Sequence, residues 1–302
     1  MPKLEYVIRT VGERTEEVCI ELVKRQKDKD ETLHVIRENT HAKAVDKTLS
    51  IGIDCQSEWL VAIDADMLII PGALATIRSE IRTSTDNTAI IHPAVVDKLY
   101  RMKRWGLTVY RVSILEQLYK EFQIIRKKQH LKVEGAAIKT ISEKYGRDVI
   151  FSKNITAIHD FYQYYKDLYR KAYLNALRNP GFNSGASRHW KKLASSDQDY
   201  RVMFRAMQDA ANEKRQLQNS VEDFDSTELE NILRSLGLEE KSPLDWEKFV
   251  DQCFSLTVES ELEHLAKYRI FKDYFEDTSV GNTIKSYLIN KLSSIRNTHI
   301  TD

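Results

Sequence analysis

The chain has 302 residues, of which 42% are apolar and 30% charged, so it can form one large domain or two smaller ones with hydrophobic cores. Its formal net charge of +1 provides no basic excess, which argues against nucleic acid as a partner. Its three cysteines are widely separated, so neither a disulfide framework nor a cysteine-rich zinc site is indicated, and a cytoplasmic location is expected. The N-terminus lacks an apolar stretch of signal-peptide length, and we expect no membrane-spanning segment.

Short β-rich runs alternate with helical patterns in the first third of the chain. Strands are predicted in EYVIRT, LHVIREN and WLVAID, and the helices between them at about Glu16 to Lys27 and Ala42 to Asp54. Such alternation indicates βαβ units in a mostly parallel sheet covered by helices. A third helix is predicted in PGALATIRSEIRT, with its proline near the first turn, and a further strand in NTAIIHPAVV, closed by its proline.

The pattern then becomes less regular and finally helical. A strand is predicted in LTVYRV, a helix in SILEQLYKEFQIIRKKQ and a short strand in DVIFSKN, before His159. Beyond residue 160 the pattern is almost entirely helical. The turn-forming loop at 179–187 predicts a boundary between an α/β domain at residues 1–180 and a helical C-terminal extension at 181–302.

Two aspartates stand inside an apolar run, WLVAIDADMLIIPG, where uncompensated charge is costly. Because residues i and i+2 of a strand share a face, Asp64 and Asp66 are expected to project together at the carboxyl end of the strand, where α/β folds bind ligands. A divalent ion such as Mg²⁺ or Mn²⁺ would relieve their repulsion. The alternative is that these aspartates simply end the strand and open a turn toward Pro71.

Several segments in order carry a family resemblance. They are YVIRTVGERTEEVCIELVKRQ, HVIREN, AKAVDKTLSIGIDCQSEWLVAIDADMLIIPGAL and, more loosely, GLTVYRVSILEQL and VEGAAIKTISEKYGRDVIFSKNITAIHD. Together they resemble family 2-type glycosyltransferases of the GT-A fold, which move a sugar from a nucleotide diphosphate donor to an acceptor. The resemblance covers about residues 4–178 and implies a GT-A-like, Rossmann-like sheet flanked by helices. Residues 180–302 resemble no family.

The resemblance implies roles for the aspartates and for a histidine. Asp64 would approach the ribose or donor sugar, Asp66 would bind the metal, and His159 would be a second ligand. An imidazole beside a carboxylate fits Mn²⁺ somewhat better than Mg²⁺. The alternative for His159 is a hydrogen-bonded histidine at a strand end, although its position one strand after Glu134 and directly before a helix favours a ligand role.

Five further residues are expected on the donor side by the same resemblance. Thr10, Val11 and Arg14 would surround the base and ribose. Glu38 would contact the base, and Lys47 would approach the diphosphate. Without the resemblance, Glu38 is explained as a turn cap and Lys47 as a solvated helix charge.

Glu134 is the candidate general base. In an inverting transfer the acceptor hydroxyl attacks the anomeric carbon opposite the leaving diphosphate, and a carboxylate takes its proton. Relatives often have an acidic pair at this point, whereas Gly135 follows Glu134 here. Asp160 and Glu143 are therefore alternatives, and a glutamate on a helix surface is the non-catalytic interpretation.

The aromatic stripe at residues 161–173 has three interpretations. It could pack in the core, stack on an acceptor sugar, or lie on an anionic membrane, because it also carries basic side chains. The C-terminal helices could pack on the catalytic domain or join two subunits of a homo-oligomer. The loop at 179–187 could close over the bound donor.

The sequence therefore predicts a metal-dependent, inverting glycosyltransferase that uses Mn²⁺ or Mg²⁺. A UDP-sugar is the favoured donor, and the acceptor is a saccharide, glycolipid or protein. One alternative is a nucleotidyltransferase, although RTVGERT supplies only Gly12 where a glycine-rich phosphate loop is expected. The other is a non-catalytic protein that binds a nucleotide sugar and recruits partners.

Overall fold

The computed structural model describes residues 2–99, 101–103, 106–127, 133–178, 188, 190–212 and 224–255. The chain divides into two compact units, Met1–Glu247 and Lys248–Asp302. The sheet and the candidate site both lie in the first unit. The loop predicted at 179–187 and the C-terminal segment after residue 255 lie outside the described residues, so the predicted lid remains a prediction, as does the domain boundary at residue 180.

One mixed sheet of eight strands forms the centre of the described part of the first unit. In chain order the strands are β1 (Leu4–Thr10), β2 (Thr32–Arg37), β3 (Trp59–Asp64), β4 (Met67–Ile69), β5 (Thr88–Asp97), β6 (Arg101–Lys103), β7 (Leu107–Arg111) and β8 (Asp148–His159). Their spatial order is β2-β1-β3-β7-β5-β8-β4, and β6 pairs with β5. The predicted α/β class is confirmed.

The strand directions differ from a mostly parallel sheet. β1 is parallel to β2 and β3, and β5 is parallel to β8. β7 is antiparallel to both of its neighbours, β3 and β5, and β4 and β6 also pair antiparallel. The βαβ pattern of the first third predicts β1 to β3 correctly, whereas β4, β6 and β7 follow short connections and pair antiparallel with their neighbours.

The described helices follow the predicted order. They are α1 (Glu16–Gln26), α2 (His41–Asp54), α3 (Ala73–Thr83), α4 (Leu115–Lys127), α5 (Val133–Tyr145), α6 (Tyr165–Arg178), α7 (Gln198–Asn212), α8 (Ser226–Ser235) and α9 (Trp246–Ser255). α6 begins after the start of the aromatic stripe, because Asp160 and Tyr162 have φ angles of +63° and +64°, which a right-handed helix cannot contain. Among the described helices, none combines the length and apolarity needed to cross a bilayer.

Two strands are longer than predicted. Pro93 does not end β5, because the register shift between His92 and Ala94 accommodates a residue that cannot donate a ladder hydrogen bond. β8 likewise continues through the predicted segment to His159. As a result, β5 and β8 run in parallel to their carboxyl ends, where Asp97 and His159 are direct register partners.

The core fixes the position of these strand ends. Every residue of β1 is buried, as are the first five of β3. Helices α2, α4 and α5 contribute apolar side chains to a common cluster with the sheet; its members include Val7, Val45, Leu49, Leu60, Tyr110, Leu115, Phe122 and Ile138. Burial of this apolar surface stabilises the sheet. The polar residues at the strand ends are therefore held in place by a rigid core.

Candidate functional site

The two aspartates of WLVAIDAD have different partners. β3 ends at Asp64, and Asp66 lies in the turn before β4. The Asp64 carboxylate accepts a hydrogen bond from Arg9 Nε at 2.7 Å, whereas Asp66 Oδ1 lies 3.1 Å from His159 Nε2. The backbone N–H of Ala65 donates to the carbonyl of Arg9 at 2.9 Å and fixes the turn on β1. The pair therefore belongs to two adjacent groups of side chains.

The first group is a buried cluster of Asp66, His159 and Asp160. Each residue offers one ligand atom, and these atoms all lie within 4.8 Å of one another. The three residues are at most 5% exposed. Two carboxylates and one imidazole form a donor set that suits Mn²⁺ or Mg²⁺. The residues present thus fit a divalent ion, and they include both predicted ligands, Asp66 and His159.

Asp97, which the sequence reasoning missed, determines how His159 is oriented. Its Oδ2 lies 2.6 Å from His159 Nδ1, and its side chain is fully buried. In the neutral imidazole, a proton on Nδ1 donated to Asp97 leaves the lone pair on Nε2, which faces Asp66. A signal for Asp97 was available, because the apolar run AIIHPAVVD ends in an aspartate as WLVAID does.

The chain reversal after β8 places Asp160 in the cluster. The left-handed φ of Asp160 is uncommon for a residue with a side chain and costs about 1–3 kcal/mol unless the surroundings stabilise it. Asp160 N–H donates to the carbonyl of Asp66 at 3.3 Å, and Asp160 Oδ2 lies 3.0 Å from His159 Nδ1. Burial opposes ionisation of Asp160, but His159 and Lys171 outweigh it and hold its pKa below the ordinary value.

Two more charged residues adjoin the cluster and were not predicted. Lys171 of α6 donates to Asp66 Oδ2 and Asp160 Oδ1. Burial lowers the pKa of Lys171, but these carboxylates outweigh that effect and raise it above the ordinary value. Burial and the Asp66 charge raise the pKa of Glu13 to about 7. Both residues are ordinary charges in sequence, and only the tertiary fold brings them to Asp66.

The second group is a buried ion pair beside the first. Arg9, whose side chain is 3% exposed, donates to Asp64 through Nε and to Glu134 Oε1 through Nη1 at 2.8 Å. Tyr110 also donates to Glu134 Oε1, and His41 Nε2 lies 3.4 Å from Glu134 Oε2. The structure thus brings the predicted base, Glu134, to the predicted donor residue, Asp64.

The surroundings of Glu134 suit an ion pair better than proton transfer. Burial raises its pKa, but Arg9 and His41 outweigh burial and lower it well below the ordinary value. A general base works best with a pKa near the operating pH. The base role of Glu134 therefore remains a prediction. Of the two alternatives, Asp160 lies in the metal cluster, and Glu143 is exposed on α5, paired with Lys139.

Thr10 is the last residue of β1, and Val11 follows it in the turn toward α1. Thr10 Oγ1 contacts Glu13 Oε2 at 2.7 Å, and Val11 N–H donates to the same carboxylate at 2.8 Å. Arg14 follows them but points to backbone carbonyls, those of Tyr162 at 2.9 Å and Ser242 at 2.7 Å. Arg14 thus connects this turn to the segments before α6 and after α8.

Glu38 and Lys47 form an ion pair with each other next to the end of β1. The N–H of Glu38 donates to the carbonyl of Thr10 at 3.2 Å, so the ends of β1 and β2 are adjacent. Glu38 is largely buried, and the Lys47 side chain is mostly exposed. The roles of Glu38 and Lys47 in donor binding remain predictions.

No protein-family model matches the sequence, and no curated protein does either. Solved structures with a similar fold include a glycosyltransferase involved in glycosylation of the major capsid of PBCV-1, at 16% identity and a TM-score of 0.38 over 52% of this chain and 94% of that one. They also include glucosyl-3-phosphoglycerate synthase from Mycobacterium tuberculosis in complex with Mn²⁺, UDP and glucosyl-3-phosphoglycerate, at 12% identity and a TM-score of 0.39 over 52% and 72% of the two chains. A third is 4-diphosphocytidyl-2C-methyl-D-erythritol synthase from Anaerococcus prevotii, at 12% identity and a TM-score of 0.38 over 51% and 87%. The solved structures similar to this chain thus include glycosyltransferases, the class that the sequence resembles.

Proposed function

We propose that the chain is a metal-dependent glycosyltransferase that moves a sugar from a nucleotide diphosphate donor to a saccharide, glycolipid or protein acceptor, with inversion of the anomeric configuration. The observation that carries this proposal is the buried, convergent set of Asp66, His159 and Asp160 beside the carboxyl end of β1. A UDP-sugar is the favoured donor. The cytoplasmic location, membrane contact and oligomerisation through the C-terminal helices remain predictions.

The metal side of the site would be held by the cluster itself. Asp66, His159 and Asp160 would bind the ion, and Asp97 would keep the His159 lone pair directed at it. A bound Mn²⁺ or Mg²⁺ would neutralise negative charge that develops on the leaving diphosphate. Burial of the three ligands excludes water and strengthens every charge interaction within the cluster.

The donor side would lie at the ends of β1, β2 and β3. Arg9 fixes the Asp64 carboxylate, and Arg9 Nη2 is buried with no hydrogen-bond partner among the described residues, so it can donate to a polar substrate group. The remaining proposed donor contacts are Thr10, Val11, Arg14, Glu38 and Lys47. Of these, Arg14 would have to give up a carbonyl contact to reach the donor.

The proposed proton acceptor is Glu134. Kinetics and donor binding of a Glu134 variant distinguish a general base from a residue that only neutralises Arg9. If Glu134 takes the acceptor proton, E134Q lowers kcat by about 10²–10⁴-fold and leaves donor binding unchanged. If Glu134 only neutralises Arg9, the same variant weakens donor binding and lowers stability. Product configuration, followed by NMR during turnover, tests the proposed inversion.

The decisive experiment combines ligand screening with a metal-site variant. The full chain is heated with UDP-, GDP-, dTDP- and CMP-sugars in the presence and absence of Mn²⁺, because a ligand that binds the folded state raises the Tm. We expect one nucleotide class to raise the Tm only with Mn²⁺, and D66A to lose both that shift and sugar transfer. D86A, at an exposed acid before β5, is the matched control.

Three results would contradict the proposal. Metal-dependent transfer that survives D66A unchanged would place the metal elsewhere. Formation of a nucleotide sugar and pyrophosphate from a nucleoside triphosphate and a sugar 1-phosphate, without sugar transfer from the nucleotide sugar, would identify a nucleotidyltransferase. Metal-dependent binding of a nucleotide sugar without any turnover, across a panel of acceptors, would favour the non-catalytic alternative.

A further inference from the structure

We propose that Lys171 is a tethered cation that compensates the metal-binding carboxylates in the metal-free protein and competes with the divalent ion for them. This inference rests on the proposed metal site. It assigns to α6 a role in setting the affinity of the site for metal. It also makes metal binding an exchange of one cation for another.

The contacts of Lys171 coincide with two of the three metal ligands. Its ammonium donates to Asp66 Oδ2 and to Asp160 Oδ1, and each of these carboxylates belongs to the convergent ligand set. Its side chain is 19% exposed, against 7% for Asp66 and 3% for Asp160. The ammonium is therefore bound where a metal ion would also have to bind.

The charges around the cluster explain why a cation is held there. Asp97 adjoins His159 from β5, so three buried carboxylates, those of Asp66, Asp97 and Asp160, contact His159. Glu13, in the turn after β1, adds a fourth negative charge that acts on Asp66 electrostatically. Lys171 and His159 are basic groups in contact with these carboxylates. Carboxylates buried without a cation are strongly unfavourable, so Lys171 stabilises the metal-free arrangement.

A divalent ion and the ammonium cannot use the carboxylates together without repulsion. Two cations held by the same carboxylates lie close together, and they repel strongly because burial limits screening by solvent and salt. Lys171 can leave without moving α6, because its four-carbon stem rotates freely and its ammonium is a compact charge. Each metal ion that binds must therefore displace two charge-assisted hydrogen bonds.

The competing explanation is that Lys171 only attaches α6 to the sheet. Under that explanation, its loss would disorder Asp66 and Asp160 and weaken metal binding. Under ours, its loss frees the ligands and strengthens metal binding. The two explanations thus predict opposite changes in the same quantity.

The test is direct Mn²⁺ binding to the full chain, by isothermal titration calorimetry and by electron paramagnetic resonance of free Mn²⁺, at constant pH and without nucleotide. We expect K171M to bind Mn²⁺ more tightly than the wild type, on the order of tenfold or more, because tenfold corresponds to only one of the two charge-assisted hydrogen bonds that the ion displaces. K166M removes the same charge from the exposed side of α6 and should leave the affinity unchanged. K171Q keeps polar donors for both carboxylates without the charge, and it should also bind Mn²⁺ more tightly.

Thermal unfolding supplies a second readout if K171M folds poorly. Without metal, K171M and K171Q should melt below the wild type, and Mn²⁺ should raise their Tm by more than it raises the Tm of the wild type. If both variants bind Mn²⁺ no more tightly than the wild type, while D66N abolishes the binding seen in the wild type, the proposed role of Lys171 is wrong and the metal site is retained. Absence of Mn²⁺ binding in the wild type and in both Lys171 variants would overturn the metal site as well.

Discussion

At the scale of single residues, the candidate site depends on how His159 is held. Its Nδ1 faces Asp97 at 2.6 Å, and its Nε2 faces Asp66 at 3.1 Å. A buried carboxylate behind a ligating imidazole fixes the tautomer and raises the basicity of the ligating nitrogen. Asp97 is thus a positioning residue, since it would act on a metal only through His159.

The Asp97→Asn variant tests this orientation. An amide can still accept a hydrogen bond, but it carries no charge and can also present its NH₂ group to the ring. We expect Mn²⁺ affinity, measured by calorimetry, to fall by about 10–100-fold while the fold is retained. D86N, at an exposed aspartate, should bind Mn²⁺ as the wild type does. An unchanged affinity in D97N would show that His159 needs no partner for its ligand role.

Gly106 controls the position of Asp64. Its carbonyl accepts the N–H of Asp64 at 2.9 Å, and its φ is +101°. A Cβ at this position would lie 2.1 Å from Met67 Cε and 3.3 Å from Asp64 Oδ2. Glycine at position 106 therefore permits both the positive φ angle and the close approach of the Asp64 carboxylate to the backbone.

We expect Gly106→Ala to lower the free energy of unfolding by more than the backbone cost alone, which is about 1–2 kcal/mol. Gly146→Ala is the matched control, because Gly146 has a φ of +65° and an added Cβ would meet nothing within 4 Å. Urea unfolding of both variants separates the two contributions. Equal losses in the two variants would mean that Met67 and Asp64 adjust freely.

The sequence identified some of these residues and not others, for a physical reason. Asp66 and His159 stand out because they end apolar runs or match a motif. Interactions between distant segments place three further residues at the site, namely Asp97, Lys171 and Glu13. Lys171 and Asp66, for example, are separated by 105 residues. A single sequence does not indicate which distant residue a charged side chain on an amphipathic helix will contact.

At the scale of elements, the N-terminal turn of α5 is attached to the sheet through an ion pair. Glu134 lies in the first turn of α5, and Arg9 lies near the end of β1. Tyr110 adds a hydrogen bond from β7 and His41 a contact from α2, so four elements meet at one carboxylate. Loss of Glu134 would leave Arg9 paired with Asp64, so we expect a cost below the range of about 3–5 kcal/mol that is typical of a buried charge that loses its partner.

The pH dependence of stability tests this attachment. Because the folded-state pKa of Glu134 is depressed, its contribution is fully present above the pKa of the unfolded chain, about 4.3, and is lost as the pH falls through the folded-state value. We expect the free energy of unfolding to decline below about pH 4.3 in the wild type and to decline less in E134Q. E143Q, on the exposed face of the same helix, should behave as the wild type. Identical pH profiles for E134Q and E143Q would exclude the ion pair as a source of acid sensitivity.

Element types followed from the sequence more reliably than element ends. Hydrophobic periodicity predicted β1 to β3 and α1 to α4, because each buries one regular face. Two errors arose where backbone geometry departs from local preference: the bulge that carries β5 past Pro93 and the left-handed residues that delay α6. The left-handed residues include Asp160 of the candidate site, and the bulge allows β5 to continue to Asp97, the register partner of His159.

At the scale of the whole molecule, α6 is held by residues that follow the predicted boundary at residue 180. The carboxylate of Glu240 accepts the N–H groups of Tyr165 and Lys166 at the start of α6, at 2.7 Å and 3.0 Å. Lys241 pairs with Asp199 of α7 and donates to the carbonyl of Gln163 at 2.8 Å. The C-terminal segment up to Glu247 thus supports the helix from which Lys171 enters the cluster.

The metal cluster joins segments that are far apart in the chain, namely the turn after β3 and the end of β8, with α6 adjacent. An ion bound there should therefore oppose global unfolding, by about 2.7 kcal/mol at a free concentration 100 times its Kd. For a unit of this size, each kcal/mol raises the Tm by roughly 2–4 °C. We expect Mn²⁺ to raise the Tm of the wild type accordingly, excess EDTA to reverse the rise, and D66N to show little of it. A rise of equal size in D66N would mean that the ion stabilises the protein from another site, since loss of one ligand oxygen in a three-residue cluster must weaken binding there.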